Sequence, residues 1–505
     1  MKNLTRRTFL KTTAVSAAAF YIPLRSWAQT GSASDEIRVG VVGFHGRGGD
    51  HIKGYVGAKG VRITALCDVD KKVLEGGVKM FSDAKEAAVD EQDALTGRKQ
   101  RSVHYDSGPV TGFTDLRKMI ESKDVDVISI ATPNHWHSLA AIWAVQAGKD
   151  VYVEKPVSHN VWEGRKLVEA ARKHNKIVQT GTQSRSSQGI KEAVEWVRAG
   201  NLGKILVARG LCYKPRGSIG KVEGPQPPPP GVDYDLWCGP APMAPIRRKQ
   251  FHYDWHWIWD YGCGDLGNQG IHQMDISRWF LGVDELSPRV WSVGGRLGYE
   301  DDGETPNTQI VYHDYAKAPL IFEVRGLPEK PGSKNMDRFP KEKGGSVCVV
   351  IHCEGGYVLV PNYSSATAYD KEGNEIKKWS GAEDHFKNFI KAVRSRKSSD
   401  LNADILEGHL SSALCHTGNV SYRLGKQMRP DEIREKIKGD RDATETFGRM
   451  EEHLKANNVD LEVTKASLGV FLKMDPKAER FIGNDKANEM LRRDYRKPYV
   501  VPEKV

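Results

Sequence analysis

Four short stretches of this 505-residue chain carry residue types and spacings suited to nucleotide chemistry. The turn Gly43-Phe44-His45-Gly46-Arg47-Gly48 follows an apolar, β-branched run and opens a helix. A glycine turn there lets backbone N–H groups approach a pyrophosphate at a helix N-terminus. His45 breaks the strict G-x-G-x-x-G order, and Gly46 offers the close approach one step later. Asp68 ends the next strand-like run. An acid about 20 residues past the glycines accepts hydrogen bonds from ribose hydroxyls and repels a 2′-phosphate, favouring NAD over NADP. Thr132-Pro133-Asn134-His135-Trp136-His137 and Glu154-Lys155-Pro156 stand at the carboxyl ends of later strands. Open α/β sheets bind ligands at such ends. Alone, the first also reads as a helix-starting turn and the second as a solvated charge pair.

These residues need a scaffold that sets strand ends side by side. Residues 37–42, 62–67, 126–130 and 150–153 are strand-like, and 71–97 and 135–147 read as helices. Strands alternating with helices indicate a doubly wound parallel sheet. Farther on, 161–174 and 189–199 are helical, and 177–180 and 205–213 are strand-like. The stiff spacer Gly224-Pro225-Gln226-Pro227-Pro228-Pro229-Pro230-Gly231 leads into an aromatic-rich loop, residues 251–261. Short strands then recur to residue 360, as in a mainly antiparallel sheet, followed by helices at 382–395 and 405–424. The expected architecture is α/β: a Rossmann domain over 36–158, a larger α/β domain with an open, mainly antiparallel sheet over 159–428, and a charged helical extension with a polar tail over 429–505.

Hydrophobic content of 39% and charged content of 28% fit an ordinary water-soluble globular chain. Half of the net charge of +10 comes from the start, where Lys2, Arg6, Arg7, Lys11 and Arg25 meet no acid within the first 28 positions, and the rest is spread along the chain. The rest shows no basic stripe, which argues against nucleic acid as a partner. Seven cysteines without a C-x-x-C pair support neither a disulfide framework nor a metal site. Thr5-Arg6-Arg7-Thr8-Phe9-Leu10-Lys11 is a twin-arginine box, followed by an apolar stretch too short to span a membrane and by Ser26-Trp27-Ala28. Residues 1–28 are thus expected to be a signal peptide that sends the folded protein to the periplasm without a membrane anchor.

In order and spacing, the glycine turn, Asp68, Thr132-Pro133-Asn134-x-x-His137, Glu154-Lys155-Pro156 and a fifth element resemble the Gfo/Idh/MocA oxidoreductases. That fifth element runs Gly262-Cys263-Gly264-Asp265-Leu266-Gly267-Asn268-Gln269-Gly270-Ile271-His272-Gln273-Met274-Asp275. The resemblance covers residues 37–425. It implies a Rossmann domain and a second domain whose open sheet faces the active site and joins like subunits into a homo-oligomer. By position, Gly43, Gly46, Arg47 and Gly48 would serve the pyrophosphate and Asp68 the ribose. Thr132, Asn134, His135, Trp136 and His137 would line the adenine–nicotinamide path, and Glu154, Lys155 and Gln183 would flank the nicotinamide.

The resemblance also implies that His272 faces the substrate carbon that gives up hydride. Alcohol oxidation needs a proton acceptor as hydride leaves, and an imidazole titrates near neutrality. Lys155 can relay the proton or steady the developing alkoxide, its pKa lowered by desolvation and by the nicotinamide cation. Many sugar and inositol dehydrogenases of the family carry an Asp four residues before the histidine, where this chain has Asn268. An amide can bond a sugar hydroxyl but supplies no charge, and Asp265 or Asp275 can compensate. Tyr213, His252, His256 and Asp275 are further substrate-side candidates. The loop holding His252, His256 and Trp257 reads equally well as packing between domains.

Outside the cytoplasm no NAD pool is available for exchange. The expected function is NAD-dependent oxidation of a secondary alcohol of a sugar or cyclitol, with tightly bound NAD recycled in place. One alternative is a redox-neutral NAD-dependent glycosidase or lyase working through a transient keto-sugar. It would be similar to the NAD-dependent α-N-acetylgalactosaminidases, which typically lack the lysine found here at Lys155. The other is a non-catalytic periplasmic sugar-binding protein, against which Lys155 and His272 argue.

Overall fold

The first strands carry aliphatic residues on both faces, so the sheet they build must be covered on both sides. The computed structural model describes residues 36–82, 108–340 and 343–505. The expected signal peptide, and the expected 71–97 helix beyond Ser82, lie outside the described residues. Strands β1 (Ile37–Val42), β2 (Val61–Cys67), β3 (Thr111–Phe113), β4 (Val127–Ile130), β5 (Asp150–Val153) and β6 (Val178–Thr180) pair in parallel in the order β3-β2-β1-β4-β5-β6. This doubly wound order reverses between β1 and β4, opening a crevice at their carboxyl ends.

Alternate residues of these strands face opposite layers. Ile128, Ile130, Val151 and Val153 pack with Leu139, Ile142 and Leu167 of the helices His137–Gln146 and Val161–Lys173. Val39, Val41, Val127 and Tyr152 pack with Ile52, Tyr55 and Phe389 of the helices Arg47–Tyr55 and His385–Ser395. The boundary expected at residue 158 therefore cuts this domain. Its sixth strand lies beyond that point, and a helix far downstream completes its second layer.

The second sheet has twelve strands. They are β7 (Ile205–Tyr213), β8 (Arg289–Gly295), β9 (Thr308–His313), β10 (Leu320–Arg325), β11 (Val347–Cys353), β12 (Gly356–Val360), β13 (Ser365–Asp370), β14 (Glu375–Ser380), β15 (Lys426–Met428), β16 (Ala466–Leu468), β17 (Leu472–Asp475) and β18 (Arg480–Phe481). The path runs β14-β13-β12-β11-β7-β10-β9-β8-β16-β15, with β17 also paired to β8 and β18 to β17. Among the described strands of this sheet, only β7 and β10 pair in parallel. On one face Ala208, Phe322, Val324 and Ile351 pack with Met274, Phe280, Leu410 and Leu414 of the helices Ile271–Leu281 and Ile405–Arg423.

The other face corrects an expectation. It was to be open for association of like subunits, but Val207, Ile310, Tyr312 and Ile321 are covered by Ile433, Phe447, Met450 and Leu454. Those residues belong to the helices Pro430–Ile437 and Arg441–Ala456 of the extension. Over β7, β9 and β10 the chain buries this apolar surface with its own C-terminal segment, leaving no open area there for a second copy. Nor is the extension purely helical and polar. It supplies β16–β18, and its tail buries Tyr499 and Val501 in the first domain, the Tyr499 ring 5.5 Å from that of Trp136. Among the described residues no helix is long and apolar enough to cross a membrane.

Candidate active site

β1 is followed by Gly43, whose φ of +74° is a left-handed conformation that glycine adopts without strain. A Cβ at Gly48 would lie 2.1 Å from Gly43 O, so Gly48 serves close packing of the helix against the turn rather than ligand contact. A Cβ at Gly46 would meet nothing within 4 Å. That open side lies at the positive end of the helix Arg47–Tyr55. From here a cavity of about 860 Å³ extends over the ends of β1, β2, β4 and β5. Thr132 and Asn134 line it, and their buried Oγ1 and Oδ1 have no hydrogen-bond partner. Buried polar atoms of this kind need a partner, and a bound dinucleotide offers one. Asp68 accepts from Phe44 N at 3.1 Å and Asp70 N at 3.0 Å, leaving lone pairs for ribose hydroxyls. Burial raises its pKa, opposed by those two N–H groups. The open cradle, the two orphan oxygens and Asp68 together fit NAD.

At the far end of β5, Glu154 is held from several sides. Arg47 Nε lies 3.0 Å from it, Gln183 Nε2 3.1 Å and His51 Nε2 3.2 Å. Burial, the largest single effect, opposes its ionisation, but Arg47, His51 and Lys155 together outweigh it and keep the carboxyl well below its ordinary range. Gln183, expected beside the nicotinamide, does not line the cavity; it braces Glu154 and Tyr152 OH from behind. Lys155 does line the cavity, and its Nζ donates to Asn268 O at 2.5 Å. Burial pushes the Lys155 ammonium down to about 8 against the pull of Glu154, and Arg47, Arg216 and Lys214 add to the lowering. Asn268 sits in a π-helical turn, Leu266–Gly270, and also lines the cavity.

Several expected residues have other duties. His135 does not line the cavity; its ring nitrogens lie 2.9 Å from Trp237 O and 3.4 Å from Tyr261 O. His135 thus fastens the aromatic loop, and so does Trp136, which lines the cavity and whose Nε1 donates to Leu236 O at 3.0 Å. His137 does line the cavity, and its ring lies between Pro156 O at 2.6 Å and Thr132 O at 2.7 Å, tying together the turns that carry Thr132 and Lys155. His272 is buried beside Tyr363, ring centroids 5.1 Å apart, and is not in the cavity wall. Burial first, then Lys155, hold it neutral, and its Nδ1 has no partner. Neither Asp265 nor Asp275 relays to it, because both are committed elsewhere. Asp265 pairs with Arg216 at 3.1 Å, and Asp275 with Arg185 at 2.8 Å. Asp275 also accepts from Ser411 Oγ at 2.6 Å. Tyr213 points away from the cavity and donates to Glu323 at 2.6 Å. Strand alternation sends its neighbours Lys214 and Arg216 to the cavity side instead.

His252 and His256 do line the cavity. His252 stacks on His45, centroids 4.3 Å apart, and its Nε2 lies 3.0 Å from Asp70 Oδ2. It belongs to a strap missed in the sequence. Lys71 N donates to Gly231 O and Asp233 N to Val69 O, both at 3.0 Å, so the polyproline segment lies across the end of β2. Trp237 and Phe251 continue this cover and line the cavity. Also missed were His51, Lys214, Arg216, Gln269 and Tyr363. Only Gln269, adjacent to Asn268 within the fifth motif, carried a local signal.

A family model described as the NAD-binding Rossmann fold of an oxidoreductase family matches residues 37–182, and a second, its C-terminal alpha/beta domain, matches 195–322. A glycosyl hydrolase family 109 protein of Shewanella pealeana is 27% identical over 220 residues, 40% of this chain and 44% of that protein. An inositol 2-dehydrogenase of Salmonella typhimurium is 25% identical over 179 residues, 35% of this chain and 46% of that protein. The chain thus spans less than half the length of these curated relatives. Among solved structures, levoglucosan dehydrogenase in complex with NADH and levoglucosan shares the fold, with a TM-score of 0.52 and 16% identity over 75% of this chain and 95% of that one.

Proposed function

The chain belongs to the Gfo/Idh/MocA oxidoreductase family, and from that premise we propose that it oxidises a secondary alcohol of a sugar or cyclitol with an NAD that stays bound between turnovers. The observation that carries this reading is Lys155. It stands half-buried in the wall of the nucleotide cavity beside the fifth motif, its Nζ 2.5 Å from Asn268 O. NAD would supply the hydride acceptor. The Gly43–Gly46 cradle and the helix start would take the pyrophosphate, and Asp68 the ribose, which favours NAD over NADP. Lys155 Nζ takes the alcohol proton, Asn268 bonds a neighbouring hydroxyl, and Glu154 holds the Lys155 turn in place. His272, outside the cavity wall, is a positioning residue in this scheme.

Only the neutral amine accepts a proton, so oxidation should rise with pH through about 8 and level off above it. The pH profile of kcat/KM for the best donor checks this. A profile flat from pH 6 to 10 would remove Lys155 as base.

The strap supports retention. His252, Trp237 and Phe251 line the cavity by the β2 end that would take the adenosine, and the bonds at Gly231 and Asp233 hold the polyproline segment across it. Retention fits the proposal that residues 1–28 direct folded export by the twin-arginine route to the periplasm. Denaturing the purified protein and assaying the supernatant should yield about one NAD(H) per chain. Protein that emerges empty and turns over only with added nucleotide would sink the closed cycle.

A second reading has its own support, since several curated relatives are named glycosyl hydrolase family 109 proteins. In it Lys155 would return the proton after transient oxidation. Release of sugar from a glycoside with no accumulation of reduced nicotinamide would move the assignment there.

A further inference from the structure

The end of the cavity beside Lys155 carries more positive charge than alcohol oxidation requires. After β7 the chain continues along β10, with Lys214 N donating to Arg325 O at 3.0 Å and Arg216 N to Gly326 O at 3.2 Å. Residues two apart on an extended chain share a face, so both side chains reach the cavity. Arg216 has a carboxylate partner in Asp265 at 3.1 Å, and its Nη1 donates to Tyr253 OH at 2.8 Å. Lys214 is bonded differently. Its Nζ donates to Gln269 Oε1 at 3.3 Å, and no carboxylate lies within ion-pair distance among the described residues. Lys155 donates to Asn268 O, so two ammonium groups rest on consecutive residues of one π-helical turn.

Glu154 attracts Lys155 and Asp265 attracts Lys214, but each of these carboxylates is already held by an arginine, Arg47 and Arg216. Asp68 and Asp115 lie at the β2 and β3 ends, and Asp115 is paired with Arg117. Asp50 and Glu154 are both engaged by Arg47. Burial and Arg216 already disfavour the charge on Lys214, and burial, Arg47, Arg216 and Lys214 that on Lys155. A half-buried ammonium with one neutral acceptor has donors to spare and a desolvation penalty to recover.

We propose that Lys214 binds an anionic substituent of the substrate, so that the preferred donor is an acidic sugar rather than a neutral one. This rests on the reading that a sugar alcohol group is oxidised at Lys155. A carboxylate, sulfate or phosphate on the ring satisfies the free Lys214 donors and offsets the surplus charge next to the reacting hydroxyl. The same anion favours protonated Lys155, so the ascending limb of the pH profile lies at higher pH for an acidic donor than for its neutral counterpart.

The test uses the full-length exported protein with its nucleotide bound. It is titrated calorimetrically with D-glucuronate and D-galacturonate, with D-glucose and D-galactose as neutral partners, and with glucose 6-phosphate and glucose 6-sulfate. Reduction of the bound nucleotide is followed in parallel by absorbance. At low salt at least one acid should bind about tenfold or more tightly than its neutral partner, and the gap should shrink as salt rises. Lys214→Met should close the gap and Lys214→Arg keep it, with equal melting temperatures showing that both variants fold. Which anion leads identifies carboxylate, sulfate or phosphate as the substituent. Equal binding of acids and neutral sugars, binding of none, or a gap that survives Lys214→Met each overturns the proposal. Lys214-dependent acid binding without reduction of the nucleotide by any sugar would keep this inference and defeat the oxidation reading. Neutral sugars that bind and reduce the nucleotide as well as the acids would do the reverse.

Discussion

Lys155→Met should lower alcohol oxidation by about 10³-fold while the nucleotide stays bound. Loss of a positioned general base costs about 10²–10⁴ in rate, and methionine keeps the length and apolar stem of lysine without a proton acceptor. The nucleotide cradle is built elsewhere, from Gly43, Gly46 and the start of the helix Arg47–Tyr55. Glu154 keeps Arg47, His51 and Gln183 when the ammonium is gone. Lys155→Arg sharpens the test. Guanidinium stays protonated at any accessible pH, so a variant that retains the charge and is equally slow assigns the loss to proton acceptance rather than electrostatics. Single-turnover reduction of the bound nucleotide measures the rate, and denaturation of the same samples measures its content. Undiminished turnover in both variants would move the proton to another group, with His272 the next candidate.

Glu323→Gln should cost about 3 kcal/mol of stability, because breaking a buried ion pair leaves charge without compensation. Glu323 on β10 is 1% exposed. It accepts from Tyr213 OH at 2.6 Å and from Arg449 at 2.6 and 2.9 Å, with Arg325 at 3.6 Å and Arg209 at 4.0 Å. Arg449 belongs to the helix Arg441–Ala456, so the loss falls on docking of the C-terminal segment to the sheet. The rim partners Asp442, Glu445 and Asp337 retain part of the arginine charge, which places the cost at the lower end of the usual range. Glu445→Gln removes a half-exposed partner of the same Arg449 and should cost less than about 1 kcal/mol. Urea midpoints at unchanged slope compare the two. Equal shifts would mean that Glu323 does not anchor the helix.

Much of the nucleotide site was legible because a βαβ unit is local. The turn at Gly43, the acid at Asp68 and the strand ends before Thr132 and Glu154 are placed by short runs whose apolar residues must be buried on both faces. Within these runs, strand–turn–helix succession alone decides that Asp68 and Lys155 face one crevice. The fifth motif likewise brought Asn268 to the cavity. Reading failed where a face had to be chosen. Tyr213 and Lys214 are neighbours on one strand end, and pleating sends one into the Glu323 cluster and the other to the cavity. Asp275 and His272, three residues apart on one helix, are both buried, and the carboxylate is claimed by Arg185, 90 residues away.

The sequence by itself determined the doubly wound sheet, the NAD-type cradle and the presence of a lysine beside it. Those follow from hydrophobic periodicity and glycine geometry within tens of residues. Only the tertiary structure decided what surrounds that lysine: the strap over the cofactor end, the second ammonium at Lys214, and the C-terminal helices that close the far face of the second sheet. Each depends on contacts between residues far apart in the chain, whose register and burial no local pattern encodes.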